Sequence, residues 1–182
     1  MISFLAMAAL AVRQDVSGRV TLPNGKPASQ AIVIFQGDEK SKPLAKAVVD
    51  QRDRTFIPHV SVVTVGTKVE FPNNDIVFHN VFTEFHSTKF DLGMYPKGTS
   101  RSQVFNRTGL AVIMCSIHPE MSAYVMVVGT PYFAITDRNG KYEIHGLPAG
   151  HYKVDVWHES GAKASLPAET TADSHVDIAL QR

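Results

Sequence analysis

The sequence predicts an all-β protein made of two β-sandwiches, and three observations carry that prediction. Short runs rich in Val, Ile, Phe, Tyr and Thr recur along the chain, each bounded by Gly, Pro or Asn, which is the punctuation of strands and turns. No window repeats its apolar residues at the helical period. After about residue 130 the pattern changes, and Asn-Gly and Leu-Pro turns begin to separate strictly alternating strands. With 182 residues and 44% hydrophobic content the chain can bury a substantial core, enough for one large or two small domains.

Charge and cysteine usage narrow the function classes. A formal net charge of +1 gives no sign of a nucleic-acid or other polyanion partner. The single Cys excludes an internal disulfide framework.

The elements follow in order. The apolar run Ile2 to Val12 is too short to span a bilayer. Followed by Arg13-Gln14-Asp15, it reads as the core of a secretory signal with Ala9-Leu10-Ala11 as its cleavage site, although no Lys or Arg precedes it. Residues 1–13 are expected to be a signal-peptide remnant, leaving no stable membrane span once it is removed. Val16 to Leu22 alternates, turns at Pro23-Asn24-Gly25-Lys26-Pro27 and resumes as Ala31 to Phe35, which predicts two strands. The polar stretch Gln36 to Pro43 reads as a linker.

Strands are next expected at Ala45–Val49, Thr55–Pro58, Ser61–Val65 and Lys68–Phe71, with Asn73-Asn74-Asp75 as a turn. Phe82 to Arg101 is less regular. His86 there reads as a loop residue, and Phe90 to Pro96 as a loop unusually rich in large apolar groups. Ser102–Phe105 and Leu110–Cys115 are predicted strands joined by Asn106-Arg107-Thr108-Gly109, and Ala123–Val128 closes the set. Beyond it come an Asn139-Gly140 hairpin within Ala134–Ile144, an alternating strand up to Trp157 and a last strand His175–Leu180.

One stretch carries chemistry. Cys115-Ser116-Ile117-His118-Pro119-Glu120-Met121 follows the apolar run Leu110 to Met114, so a thiolate, an imidazole and a thioether lie within one turn at the end of a strand. Cys and Met taken singly are common core residues. Their combination with His118, and with His79 in a strand-bounded segment upstream, is a metal-ligand pattern. Two His, one Cys and a weak axial Met form the set that thiolate-bound copper adopts in electron-transfer sites. A lone Cys committed to a metal also suits an oxidising compartment, where a spare thiol is a liability.

Cys115-x2-His118-x2-Met121 with upstream His79 resembles the type 1 copper site of the cupredoxins, and its short ligand loop is most similar to those of amicyanin and pseudoazurin. Asn80 after the first His and Ser116 after the Cys match the residues that tie the two ligand segments together in that family. The resemblance implies a Greek-key sandwich over residues 39–130 that binds one type 1 copper ion through His79, Cys115, His118 and Met121. It also implies backbone amides near Ser116 and Asn80 directed at the sulfur, and electron exit through His118 beside Pro119. The tail, with Thr136-Asp137-x-x-Gly140-x-Tyr142 and Leu147-Pro148-x-Gly150-x-Tyr152, resembles the carboxypeptidase regulatory-like, transthyretin-type sandwich. Its usual opening phrases stand at Gly18 to Phe35, so residues 14–38 and 131–182 are expected to form one domain with the copper domain inserted, the rival being two domains in series. No carboxypeptidase zinc pair occurs, and His145, His151 and His158 read as structural or surface residues. The implied function is an exported, periplasmic or secreted, single-electron carrier serving redox protein partners. A copper storage or delivery protein is the alternative. Multicopper enzymes need His-x-His or His-Cys-His patterns, which the sequence lacks.

Overall fold

Residues 13–84, 89–171 and 174–182 are described by the structure, a computed structural model. Residues 1–12 of the expected signal segment and His86 lie outside them. Every regular element among the described residues is a strand, and no helix there is long and apolar enough to cross a membrane. The chain divides into two compact units, one of the residues up to Phe35 with Thr136–Arg182, the other of Gln36–Ile135.

The Gln36–Ile135 unit is a sandwich. One sheet runs in the order Val60–Thr64, Ser122–Val128, Gly109–Met114, His79–Thr83, Phe90–Tyr95, and the other in the order Ser100–Phe105, Thr67–Pro72, Ala47–Val48. The sequence folds this way because alternate side chains of a strand point to opposite faces. In Thr67–Pro72 the residues Thr67, Val69 and Phe71 are buried while Lys68 and Glu70 are exposed. Val69, Phe71 and Phe105 from one sheet meet Val81, Ile113, Ala123 and Val125 from the other in a single core cluster. Each of the Val, Ile and Phe side chains among them contributes about 1.5 to 3 kcal/mol of burial. Cys115 and Met121 belong to the same cluster, so the ligand loop is anchored in the core at both ends.

The other unit pairs Arg13–Thr21 antiparallel with Lys141–Pro148, while Ser174–His175 and Ile178–Ala179 lie parallel to it. A second sheet places Ile32–Gln36 beside Gly150–Trp157, which pairs with Lys163–Thr170. Gly18 is required by close approach: a Cβ there would meet the Val176 carbonyl oxygen at 1.9 Å.

Several expectations are corrected. The apolar loop expected at Phe90–Pro96 is a strand, Phe90–Tyr95, paired with His79–Thr83. Its alternation is broken by a register shift opposite Asn80 and Phe82 and by Gly93 at φ 66°, and Pro96 ends it. A strand at Lys163–Thr170 was not expected, because Pro167 lies inside it; the strand is the outer member of its sheet, where a missing amide is tolerated. The Asn139-Gly140 turn forms, closed by Asp137 Oδ1 accepting from the amides of Asn139 and Lys141, both at 2.8 Å. Its flanks Phe133–Ile135 and Lys141–Pro148 enter different sheets instead of pairing as a hairpin. The single strand expected at His175–Leu180 is two short ones.

Candidate metal centre

The strands on either side of the ligand loop are antiparallel neighbours with Met114 opposite Ser122, so residues 115–121 form a closed connection. The Met121 amide donates to the His118 carbonyl at 2.9 Å and tightens it. His79 opens the strand His79–Thr83, which lies on the other side of Gly109–Met114. Adjacent strands therefore deliver His79 and Cys115 to one end of the sandwich.

The segment before His79 is fixed by side-chain amides. Asn73 is fully buried. Its Nδ2 donates to the carbonyls of Val77 at 2.9 Å and Tyr95 at 3.0 Å, and its Oδ1 accepts from the Asp75 amide at 2.9 Å. Asn74 Nδ2 donates to Asp50 Oδ1 at 2.8 Å. Each such bond contributes about 1 kcal/mol, and more would be lost if a buried partner were left unpaired.

At the site, His79 Nδ1 and His118 Nδ1 are 3.0 Å apart, and Cys115 Sγ lies 3.9 Å from the first and 3.7 Å from the second. Ligand atoms of these residues all lie within 4.8 Å of one another. His79 is fully buried and Cys115 is 4% exposed, while His118 is half-buried. Bonds of about 2.0 Å to nitrogen and 2.3 Å to sulfur, spread around one ion, put donor atoms about 3.5 to 3.7 Å apart. The observed separations bracket that spacing, so the donor set fits a thiolate-preferring transition metal. Met121 is buried in the cluster that holds Cys115.

Asn80 Oδ1 accepts from the Ser116 amide at 2.7 Å and from Ser116 Oγ at 3.0 Å, tying the two ligand segments. The Ser116 amide itself is thus engaged by Asn80. Asp91 Oδ1 accepts in turn from Asn80 Nδ2 at 3.3 Å.

The residue that sequence reasoning missed is Asp75, expected only as part of a turn. Its Oδ2 accepts from His79 Nε2 at 2.9 Å and from the Arg54 amide at 2.7 Å, and its Oδ1 from the Ile76 amide at 2.6 Å. The Arg54 amide first, and then the His79 ring and the Ile76 amide, hold its carboxyl down at about 2 against the opposing effect of burial. Nε2 is thus the ring nitrogen of His79 that faces this carboxylate, and Nδ1 the one that faces Cys115 and His118. The available signal was the four-residue spacing from Asp75 to His79.

The other histidines lie elsewhere. His151 is exposed, and His158 is buried, with Nε2 donating to the Ser29 carbonyl at 3.1 Å. Exposed His145 lies 3.0 Å from Asp15, and each raises or lowers the other's pKa in the sense of an ion pair. Apolar side chains fringe the site segments: Ile76 is 84% exposed, Phe78 54%, Ile117 46% and Met94 45%.

No family model matches the chain. No curated protein matches it either. Solved structures similar to it include a purple cupredoxin from Nitrosopumilus maritimus, at 23% identity over 46% of this chain and 100% of that one, TM-score 0.43. Another is the reduced Cu(I) form, at pH 4, of a point mutant of amicyanin, at 21% identity over 53% of this chain and 98% of that one, TM-score 0.42. A third is a Cu-containing nitrite reductase from Thermus scotoductus, at 24% identity over 61% of this chain and 28% of that one, TM-score 0.45.

Proposed function

We propose that the protein is an exported type 1 copper protein that shuttles single electrons between redox protein partners. The observation that carries the proposal is the convergence of His79 Nδ1, His118 Nδ1 and Cys115 Sγ at one end of a rigid sandwich. In this reading His79, Cys115 and His118, with Met121 as a weaker donor, would hold the ion, which would supply a one-electron couple. The chain supplies the rest. Strands fix both ligand segments, Asn80 and Ser116 lock them to each other, and burial keeps water from the thiolate. With the donors held in place in both oxidation states, little has to move when an electron arrives or leaves. Cys115 must give up its proton to bind, so affinity falls as pH falls.

Half-buried His118, with Ile117, exposed Pro119 and the neighbouring Ile76 and Phe78, supports electron exit through an apolar contact face. The other unit is proposed to be a transthyretin-type sandwich, supported by its turns at Gly140 and after Leu147-Pro148. A periplasmic or secreted location is supported by the single buried Cys and the apolar N-terminal run.

Visible absorption and paramagnetic resonance of the copper-loaded protein test the proposal. An intense thiolate-to-Cu(II) band that vanishes in Cys115→Ser is expected. A protein that holds Cu(I) but stays colourless on oxidation would point to storage or delivery instead.

A further inference from the structure

The Asp75–His79 contact involves more of the chain than a loop closure needs. A carboxylate with its residue only 6% exposed is costly unless donors surround it. Here three converge: the Arg54 amide, the Ile76 amide and the ring of His79. The first of these comes from an unusual place. Asp50–Arg52 and Thr55–Ile57 form a hairpin whose two turn residues, Asp53 at φ 51° and Arg54 at φ 54°, are both left-handed without being Gly. The hairpin is held against the His79 segment by the Asn74 amide donating to the Gln51 carbonyl at 3.0 Å and by Asn74 Nδ2 on Asp50. Its tip then delivers the Arg54 N–H to Asp75 Oδ2. Backbone strain of this kind persists where surrounding structure imposes it.

We propose that Asp75, clamped by the tip of the 50–57 hairpin, is a positioning residue: its carboxylate fixes His79 as the Nε2–H tautomer and biases the site toward the more highly charged oxidation state of its metal. The first half concerns the protein alone. The second rests on the copper reading above. A carboxylate behind a ligating imidazole makes the ligand nitrogen more basic, and the added negative charge favours a divalent ion over a monovalent one. The structure therefore assigns Asp75 a lowering of the reduction potential.

Two measurements test this. Long-range proton–nitrogen correlation spectra of the metal-free wild-type protein should show His79 with a protonated Nε2 and a bare Nδ1. A protonated Nδ1 with bare Nε2 overturns the tautomer assignment and needs no variant to fold. Competition titrations with Cu(II) and Cu(I) then compare the wild-type protein with Asp75→Asn. Cu(II) affinity should fall roughly 10- to 100-fold and Cu(I) affinity by less; a tenfold difference between the two raises the potential by about 59 mV. Equal losses in both states, or no loss, overturn the redox half. If the wild-type protein binds neither ion, the copper reading and the redox half fail together, and the tautomer spectrum still decides the rest.

Discussion

Asn80 is a small residue on which both ligand segments depend. It is 3% exposed, and its carbonyl oxygen takes two donors from Ser116. Asn80→Ala should cost about 1 to 3 kcal/mol, read from urea unfolding of the metal-free protein, and should also speed metal loss to a chelator. Asp75 makes a separate prediction about pH. Its folded pKa, about 2, lies below the ordinary 3.8, so the stability it contributes is complete above the ordinary value and is lost as pH falls toward the folded one. Between those limits, acid unfolding of the metal-free wild-type protein should be steeper than that of Asp75→Asn; identical pH profiles would contradict the role given to this carboxylate. Its place was hidden in the sequence because Asn73-Asn74-Asp75 reads as a turn by composition, whichever of the three does more. The approach of Cys115 and His118 was legible because their spacing within one loop is local. The pairing of Cys115 with His79, 36 residues upstream, depends on strand neighbours, and the sequence pointed to it only through the position of His79 between strand-like runs and the donor set it completes.

Among the elements, those with clean alternation were legible. Thr67–Pro72 and Gly150–Trp157 present one apolar and one polar face over their whole length, or nearly so. Phe90–Tyr95 was not, since a bulge and a left-handed Gly93 break the period that defines a strand. Lys163–Thr170 was hidden by Pro167, a residue that weighs against a strand until its outer position in the sheet is known. The hairpin tip at Asp53-Arg54 looked unremarkable, because neither residue is a turn former for left-handed positions of the kind Gly is. Replacing Arg54 by Gly keeps the amide and relieves the side-chain clash of that conformation. Arg54→Gly should therefore raise stability by about 0.5 to 1 kcal/mol, measured by urea titration, and a loss of stability would show that the Arg side chain matters more than its backbone.

Across the whole molecule, the near-neutral charge leaves apolar contact as the means by which the Gln36–Ile135 unit would meet a partner. In the proposed reading, two copies of the chain would serve as each other's partners in electron self-exchange. Ile117→Lys puts like charges face to face when two copies meet at His118, and should slow self-exchange about tenfold at low ionic strength. The visible spectrum should stay unchanged, since Ile117 is not a ligand. Exchange that proceeds at the wild-type rate would place the exit route elsewhere on the surface. The all-β class was legible from punctuation and period alone, whereas the division at Phe35 and Thr136 follows from strand partners that lie more than a hundred residues apart, such as Arg19 and Lys141.

X-ray absorption at the copper edge of the loaded protein measures the ligands directly. The account predicts one sulfur at a short distance, about 2.3 Å, with two imidazole nitrogens at about 2.0 Å, and loss of the short sulfur in Cys115→Ser. A wild-type spectrum with nitrogen and oxygen neighbours only, or with a sulfur that survives removal of Cys115, would contradict it.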